Sequence, residues 1–437
     1  MPQPNFMPKR GCWAVQSENR LIVVGTTSDY IDWIRRTCPQ RALFITDPTV
    51  RSNARESAPA NHEEVQCELA DSEQVRKAVT RHLQRWGMRI NGVACFDCES
   101  MALAALLAQD FSATFPSSSA VNNCRDKLIS KILWQQNGIR CPRTAPLRHV
   151  EDATDFLSTL GQDCVLKPLS GSGSELVFHC RTEKECRRAF AVIQDGLQQR
   201  KNHRLYKGVS GDSPPIIAEE FIDAPEFSCD FLMDKGEVTL IRLARKIPSS
   251  YGPFGTTMGY VLVDTLPQGI DLGRFCRYLA QGAGALGINR SICMADFMVH
   301  RGEIILLEIA PRPGGDCLPA LIRSALQLDI LALNLDVAQK RPLRIGPFRP
   351  SQPFMGLRIH ARQGGIFRRI NCEAVEGNPR IKEINIVRHP GDIIRMPPED
   401  YDSFLLGNII FTPENGMDLM SECSRILDGL AVEIESP

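Results

Sequence analysis

The chain lacks any apolar run approaching the roughly 18 residues that cross a bilayer. Met1–Arg10 contains prolines and two basic residues but no apolar core, so it does not read as a signal peptide. Neither sign of charge prevails, since 51 Lys+Arg balance 51 Asp+Glu; a chain that lives on phosphate backbones carries a basic surplus. Nucleic acid and membrane are therefore not expected partners, although a local basic site fits within that balance. Among the 16 cysteines, Cys95 and Cys98 form a CxxC, but no second pair follows at zinc spacing, which argues against a structural metal. Without an export signal these thiols read as reduced, in a cytoplasmic protein. The turn after the first apolar run, Gly25-Thr26-Thr27-Ser28, is not a GxGxxG, so dinucleotide binding is unsupported. There is no internal repeat and no Cys–His or Ser–His signature.

What is present is ordinary globular material, 43% apolar and 23% charged. A chain of 437 residues, at about 100–200 per domain, divides into two to four domains. Residues 1–18 lack periodicity and read as a tail. Short apolar runs at Leu21–Val24, Ala42–Ile45 and Gly92–Phe96 alternate with helical patterns at Tyr30–Arg36 and Ser72–Trp86, the signature of a parallel sheet with crossover helices. Residues 19–118 thus form a Rossmann-like layer. Pro116–Ser119 marks a linker, and 119–146 contains a helix with Leu128, Ile132 and Leu133 on one face, stopped by Gly138. Residues 147–222 read as a compact α+β unit in which the polar stretch Gln198–Pro215 is an exposed, mobile loop. The block 223–342 mixes strands and helices, Pro342–Pro353 is a Pro- and Arg-rich linker, and 354–437 is a small α+β unit with a terminal helix over Asn415–Leu430. The fold class is α/β and α+β, multidomain.

Four segments could do chemistry. Lys167 ends an apolar strand and is followed by Ser170-Gly171-Ser172-Gly173-Ser174. Small residues let successive N–H groups converge on phosphate oxygens while the lysine supplies charge. No GKS/T closes the loop, and a flexible hairpin turn accounts for it as well. Glu219, Glu220, Ile222 and Glu226 lie where a strand enters an acidic hinge. Such a hinge can pair with a purine edge and accept ribose hydroxyls, but alone it reads better as a solvated turn. Asp296 and Glu308 stand twelve residues apart in an apolar hairpin centred on Gly302. A three-residue loop there would set both carboxylates on one face. Two carboxylates in such surroundings require a cation, and hard oxygen ligands favour Mg²⁺. Arg312, between Pro311 and Pro313 at a loop-to-helix junction, suits a carboxylate or a transferring phosphoryl group.

The order of these elements, with Asp126-Lys127 before a helix and Arg312-Pro313-Gly314-Gly315 after the hairpin, resembles the ATP-grasp superfamily of carboxylate–amine ligases over roughly 20–437. The final unit resembles that of L-amino-acid ligases. The resemblance implies a lid over 147–222, a central domain over 223–342 and a C-terminal domain over 354–437. It implies that Lys127 and Lys167 hold the ATP phosphates under the 170–174 loop. Adenine would be received at Glu219, Glu220 and Ile222, and the ribose at Glu226. Asp296 and Glu308 would bind Mg²⁺ or Mn²⁺, Lys246 would approach the γ-phosphate and Arg312 would steady an acyl phosphate. Small-molecule carboxylate and amine substrates and a homodimer are further expectations. Ala310 departs from the Asn that many members carry, which bears on whether one or two metals bind. The rivals are a biotin-carboxylase-like enzyme that activates bicarbonate and a non-catalytic ATP-binding module.

Overall fold

The computed structural model describes residues 18–206, 215–346, 348, 350 and 352–436. All but the last residue of the 1–18 tail, and 207–214 of the polar stretch, fall outside them. The N-terminal layer is a four-stranded parallel sheet in which Glu18–Val24 lies between Ala42–Thr46 and Met88–Cys95, with Glu64–Gln66 at one edge. The helices Ser28–Thr37 and Ser72–Trp86 stand where the periodicity predicts them. A further helix, Met101–Asp110, carries apolar residues nearly all round and is largely buried, so it has no amphipathic stripe to betray it.

Two local expectations fail for identifiable reasons. Pro116–Ser119 is not a free linker, because Ser117 Oγ accepts from Ala120 N at 3.1 Å and caps the helix Ser118–Arg125. The helix Lys127–Gln136 does end before Gly138, but it does not bury the predicted apolar face. Ile132 is 43% exposed, and Ser130, Lys131 and Trp134 are the buried residues instead. The helix has been turned so that its lysines face inward.

Residues 144–220 form a four-stranded antiparallel sheet in the order Thr144–Leu147, Ile216–Glu220, Cys164–Pro168, Phe178–Cys180. The helices Val150–Leu160 and Glu183–Gln199 share its core. The described part of the 198–215 stretch is anchored rather than free. Leu205 is buried, Arg200 Nη2 donates to Glu399 O at 2.8 Å, and Arg125 Nη2 donates to Leu205 O at 3.0 Å. Hydrogen bonds of long basic side chains, Arg200 from the stretch and Arg125 onto it, hold a segment whose few apolar residues had suggested mobility.

The centre is an eight-stranded antiparallel sheet running Glu303–Ala310, Arg290–His300, Glu226–Asp234, Glu237–Pro248, Thr257–Leu262, Met355–His360, Leu405–Phe411, Ile381–Ile386. It crosses from the 223–342 block into the 354–437 unit through the pairing Tyr260↔Gly356. Alternation divides its two faces. Phe227, Cys229 and Phe231, with Ala295 and Phe297, pack under the helix Leu272–Ala285, where Phe275 meets Phe297 at 4.9 Å between ring centroids. Each such ring contributes about 1.5–3 kcal/mol by leaving water. The alternate residues Glu226, Ser228, Asp296 and Met298 therefore point the other way, held by a rigid support. The terminal helix is shorter than predicted, Leu419–Asp428, and the chain returns as the strand Ala431–Glu435 against Gly365–Asn371. Among the described residues no single helix is long and apolar enough to cross a membrane, and all fifteen described cysteines are free.

Candidate active site

The polar face of the long sheet, the 144–220 unit and the helix Lys127–Gln136 enclose a cavity of about 370 Å³. Every residue singled out above, from Lys127 through the 170–174 loop, Glu219, Glu220, Ile222, Glu226, Lys246, Asp296 and Glu308 to Arg312, lines it. Stretches separated by up to 231 residues in sequence, from Lys127 to Arg358, meet there.

One end gathers cations. Lys167 Nζ lies 2.6 Å and Lys131 Nζ 3.4 Å from the two oxygens of Glu219, and Lys127 Nζ donates to Gly171 O at 3.2 Å. Burial would push the Glu219 carboxyl up, but Lys131 and Lys167 outweigh it and hold it below the ordinary range. Three lysines around one carboxylate leave a surplus of positive charge in a water-poor setting, which fits an anion. The loop beside them places Gly173 at φ +66° and Ser174 at φ +60°, a left-handed bend that glycine supplies without strain. Glu219 faces the lysines, whereas Glu220 turns outward to Arg143 Nε at 3.3 Å and Gln162 Nε2 at 3.2 Å. The acidic pair is thus split by strand alternation, and its two members have different surroundings.

Burial pushes Lys127 down to about 8, with Glu308 pulling it up and Lys167 and Lys131 pushing it further down. The lysine is charged below that pH and loses its charge above it. The grip on an anionic substrate should therefore weaken as pH rises through about 8. A pH profile of anion affinity, read with sulfate because its own charge does not change over this range, should show this alkaline limb in the parent and not in Lys127→Arg, whose guanidinium stays charged.

In the same cavity Asp296 and Glu308 pair directly across their strands. The hairpin reaches this register differently from the expectation. His300 pairs with Glu303 around a two-residue turn, with Arg301 at φ +50° and Gly302 at φ +79°, and the ladder shifts between Asp296 and Phe297. That bulge leaves Leu307 as the extra residue, and its carbonyl accepts from Lys131 Nζ. Lys246 Nζ donates to Glu226 Oε1 at 2.5 Å and to Asp296 Oδ2 at 3.1 Å. Burial opposes its charge, but Asp296 and Glu226 overcome that and raise it well above the ordinary lysine range. Asp296 and Glu308 could hold a divalent cation. Among the described residues no group of three His, Cys, Asp or Glu is placed to cage one. Such an ion would complete its shell with phosphate oxygens and water, the usual habit of Mg²⁺. Ala310 packs into the core of the N-terminal layer and supplies no ligand.

Arg312 is 9% exposed. Its Nη1 donates to Pro313 O at 2.7 Å, while Nε and Nη2 lie 3.2 and 2.9 Å from Cys98 Sγ. The loop that carries it is tied down two residues later, where Gly314 N donates to Asp230 Oδ1 at 2.7 Å. Asp230 is itself clamped by Arg242 Nε at 2.6 Å, and both side chains are fully buried.

Residues 160–320 match the ATP-grasp domain. That stretch is an ATP-grasp domain, and the chain around it resembles L-amino-acid ligases. It is 24% identical over 326 residues to the L-arginine-specific L-amino acid ligase of Bacillus subtilis, covering 72% of this chain and 74% of that one. Among solved structures, the L-amino acid ligase of Bacillus licheniformis superposes with a TM-score of 0.75 at 20% identity, over 96% of this chain and 99% of that one. The biotin carboxylase domain of the Hydrogenobacter thermophilus 2-oxoglutarate carboxylase gives 0.67 at 17% identity, over 96% and 91%. These superpositions show a shared fold.

Sequence reasoning missed four residues in or beside this cavity. Lys131 follows Lys127 by one helical turn, and that spacing was the available signal. Asp316 closes the segment that carries Arg312, and that proximity was its signal, whereas Cys98 and Arg358 had none, because only tertiary structure brings them to Arg312 or to the cavity.

Proposed function

We propose that this ATP-grasp chain is a ligase that joins a carboxylate, an amino acid or similar acid, to an amine through an acyl phosphate, releasing ADP and phosphate. The observation that carries the reading is that Lys127 and Lys167, the latter paired with Glu219 together with Lys131, share a single cavity with the Asp296–Glu308 pair and Arg312. Phosphoryl transfer requires positioning and charge neutralisation more than covalent participation by the protein. Lys127 and Lys167 would grip the phosphates, with the buried Lys131 behind them on Glu219, and Asp296 and Glu308 would hold Mg²⁺ or Mn²⁺. Bound there, the cation supplies charge neutralisation for the transferring group. A carboxylate oxygen forms a bond to the γ-phosphorus as the bond to ADP breaks. Arg312 then steadies the acyl phosphate while the amine nitrogen bonds to the carbonyl carbon, expelling phosphate, and the amine proton passes to solvent.

Phosphate release in the presence of amino-acid mixtures tests this. Release that depends on an amine, with an amide-bonded product by mass spectrometry, is the expected result. Release that depends on bicarbonate would favour the carboxylase reading, and ATP binding without turnover would favour a binding module.

The 147–222 unit is proposed as a lid that excludes water from the acyl phosphate. ATP with Mg²⁺ should slow amide exchange around Ser170–Ser174, and equal exchange with and without nucleotide would remove that role.

A further inference from the structure

We propose that Lys131 is a positioning residue for the nucleotide: from behind the cavity wall it neutralises Glu219, so that Lys167 presents an uncancelled charge to the phosphates. The inference deepens the ATP-dependent ligase reading above and rests on it. Lys131 is 1% exposed and does not line the cavity, whereas Glu219 and Lys167 do. Glu219 is divided between the two lysines, with Oε2 2.6 Å from Lys167 Nζ and Oε1 3.4 Å from Lys131 Nζ. Leu307 O, the carbonyl of the bulge residue beside Glu308, accepts from Lys131 Nζ. The ring of Trp134, fully buried and fixed by its Nε1 donating to Gly282 O at 3.0 Å, has its centroid 5.2 Å from the same ammonium. Carboxylate, carbonyl and ring face all favour a cation at that point. Burial pushes Lys131 below the ordinary lysine range, Glu219 opposes that and Lys167 adds to it.

The fold bears a cost for this arrangement. To turn Lys131 inward, the helix Lys127–Gln136 leaves Ile129 38% and Ile132 43% exposed. Packing alone does not call for the second cation, because Glu219 already has Lys167 at hydrogen-bond distance and a buried ion pair is a weak stability device. Charge balance supplies the reason. Glu219 with Lys167 alone is a neutral pair, and Lys131 leaves the set with one net positive charge. That surplus is felt at Lys167, since Lys131 is out of reach of a ligand in the cavity. Lys167 can then turn toward a phosphate without stranding Glu219 as an unpaired buried carboxylate. The bulge at Leu307 and the ring of Trp134 keep the second ammonium on Glu219 while this happens.

The test is the dissociation constant of ATP for the full-length protein, measured by titration calorimetry without divalent metal so that the lysines act alone. Lys131→Met should bind ATP about tenfold or more weakly, the weight of one partly screened charge at close range. Its thermal unfolding should lie no lower than that of the parent, because an apolar side chain replaces a buried charge. Adding Glu219→Gln to Lys131→Met restores the net charge of the set and should recover most of the affinity. Damage to packing would not be repaired by that second substitution. Lys131→Arg keeps the charge and should retain most of the affinity, and Lys131→Gln removes it should the Met variant not fold. Unchanged ATP affinity in the variants without the charge, or a double variant that binds no tighter than Lys131→Met, overturns the role of Lys131. A parent that binds ATP without amine-dependent phosphate release overturns the ligase reading and leaves this role standing. A parent that binds no ATP overturns both.

Discussion

Glu308→Gln should lower turnover by about a thousandfold or more while the chain stays folded. The substitution keeps the volume and the hydrogen-bonding oxygen but removes one of the two charges that face each other across the 290–300 and 303–310 strands. A bound metal stabilises a transferring phosphoryl group by several kcal/mol, and each 1.36 kcal/mol is tenfold in rate. The measurement is the steady-state rate of phosphate release as a function of Mg²⁺ concentration. A higher Mg²⁺ requirement together with the fall in rate places Glu308 in the metal shell. Unchanged activity at limiting Mg²⁺ would remove the hairpin from the site. Because Lys246 already lies between Glu226 and Asp296, the variant should not unfold through uncompensated repulsion.

Asp230→Ala is the second large effect, and it falls on stability and turnover together. Arg242 is fully buried and uses Nε on Asp230, Nη1 on Ser228 O at 3.1 Å and Nη2 on Ser228 Oγ at 3.0 Å. Removing the carboxylate leaves a guanidinium buried without its counter-charge, which costs about 3–5 kcal/mol. It also frees Gly314 N from its acceptor, so the loop carrying Arg312 loses its anchor. Denaturant unfolding should show the destabilisation. In Asp230→Ala with Arg242→Met much of the stability should return, because no unpaired charge remains, while turnover stays low because Gly314 is still untied. Recovery of both would show that the pair acts on the fold alone.

Much of the site was legible because its chemistry is written in short segments. The acidic hairpin announces itself by two carboxylates in an apolar run, and side-chain alternation then sets them on one face. The strand-ending Lys167 and its Ser/Gly loop depend on local backbone preferences, as does the helix Ser72–Trp86 with its capping Asp71. Such features involve neighbours in sequence, so composition and spacing report them. The two-residue turn and compensating bulge were not legible, because either loop length satisfies the same alternation until the rest of the ladder is known.

By itself the sequence determined the parallel N-terminal layer, the pairing of Asp296 with Glu308, and many of the charged residues that meet in one cavity. Tertiary structure alone decided the direction in which the helix Lys127–Gln136 turns, the docking of Cys98 on Arg312 and the arrival of Arg358 beside Asp316. The physical reason is the same in each case. Apolar periodicity predicts the face that leaves water, but a buried lysine follows the carboxylate that compensates its charge, and that carboxylate, Glu219, lies 88 residues further along the chain from Lys131. A partner chosen by long-range electrostatics leaves no trace in local pattern, so its position is known only once the sheets have closed around it.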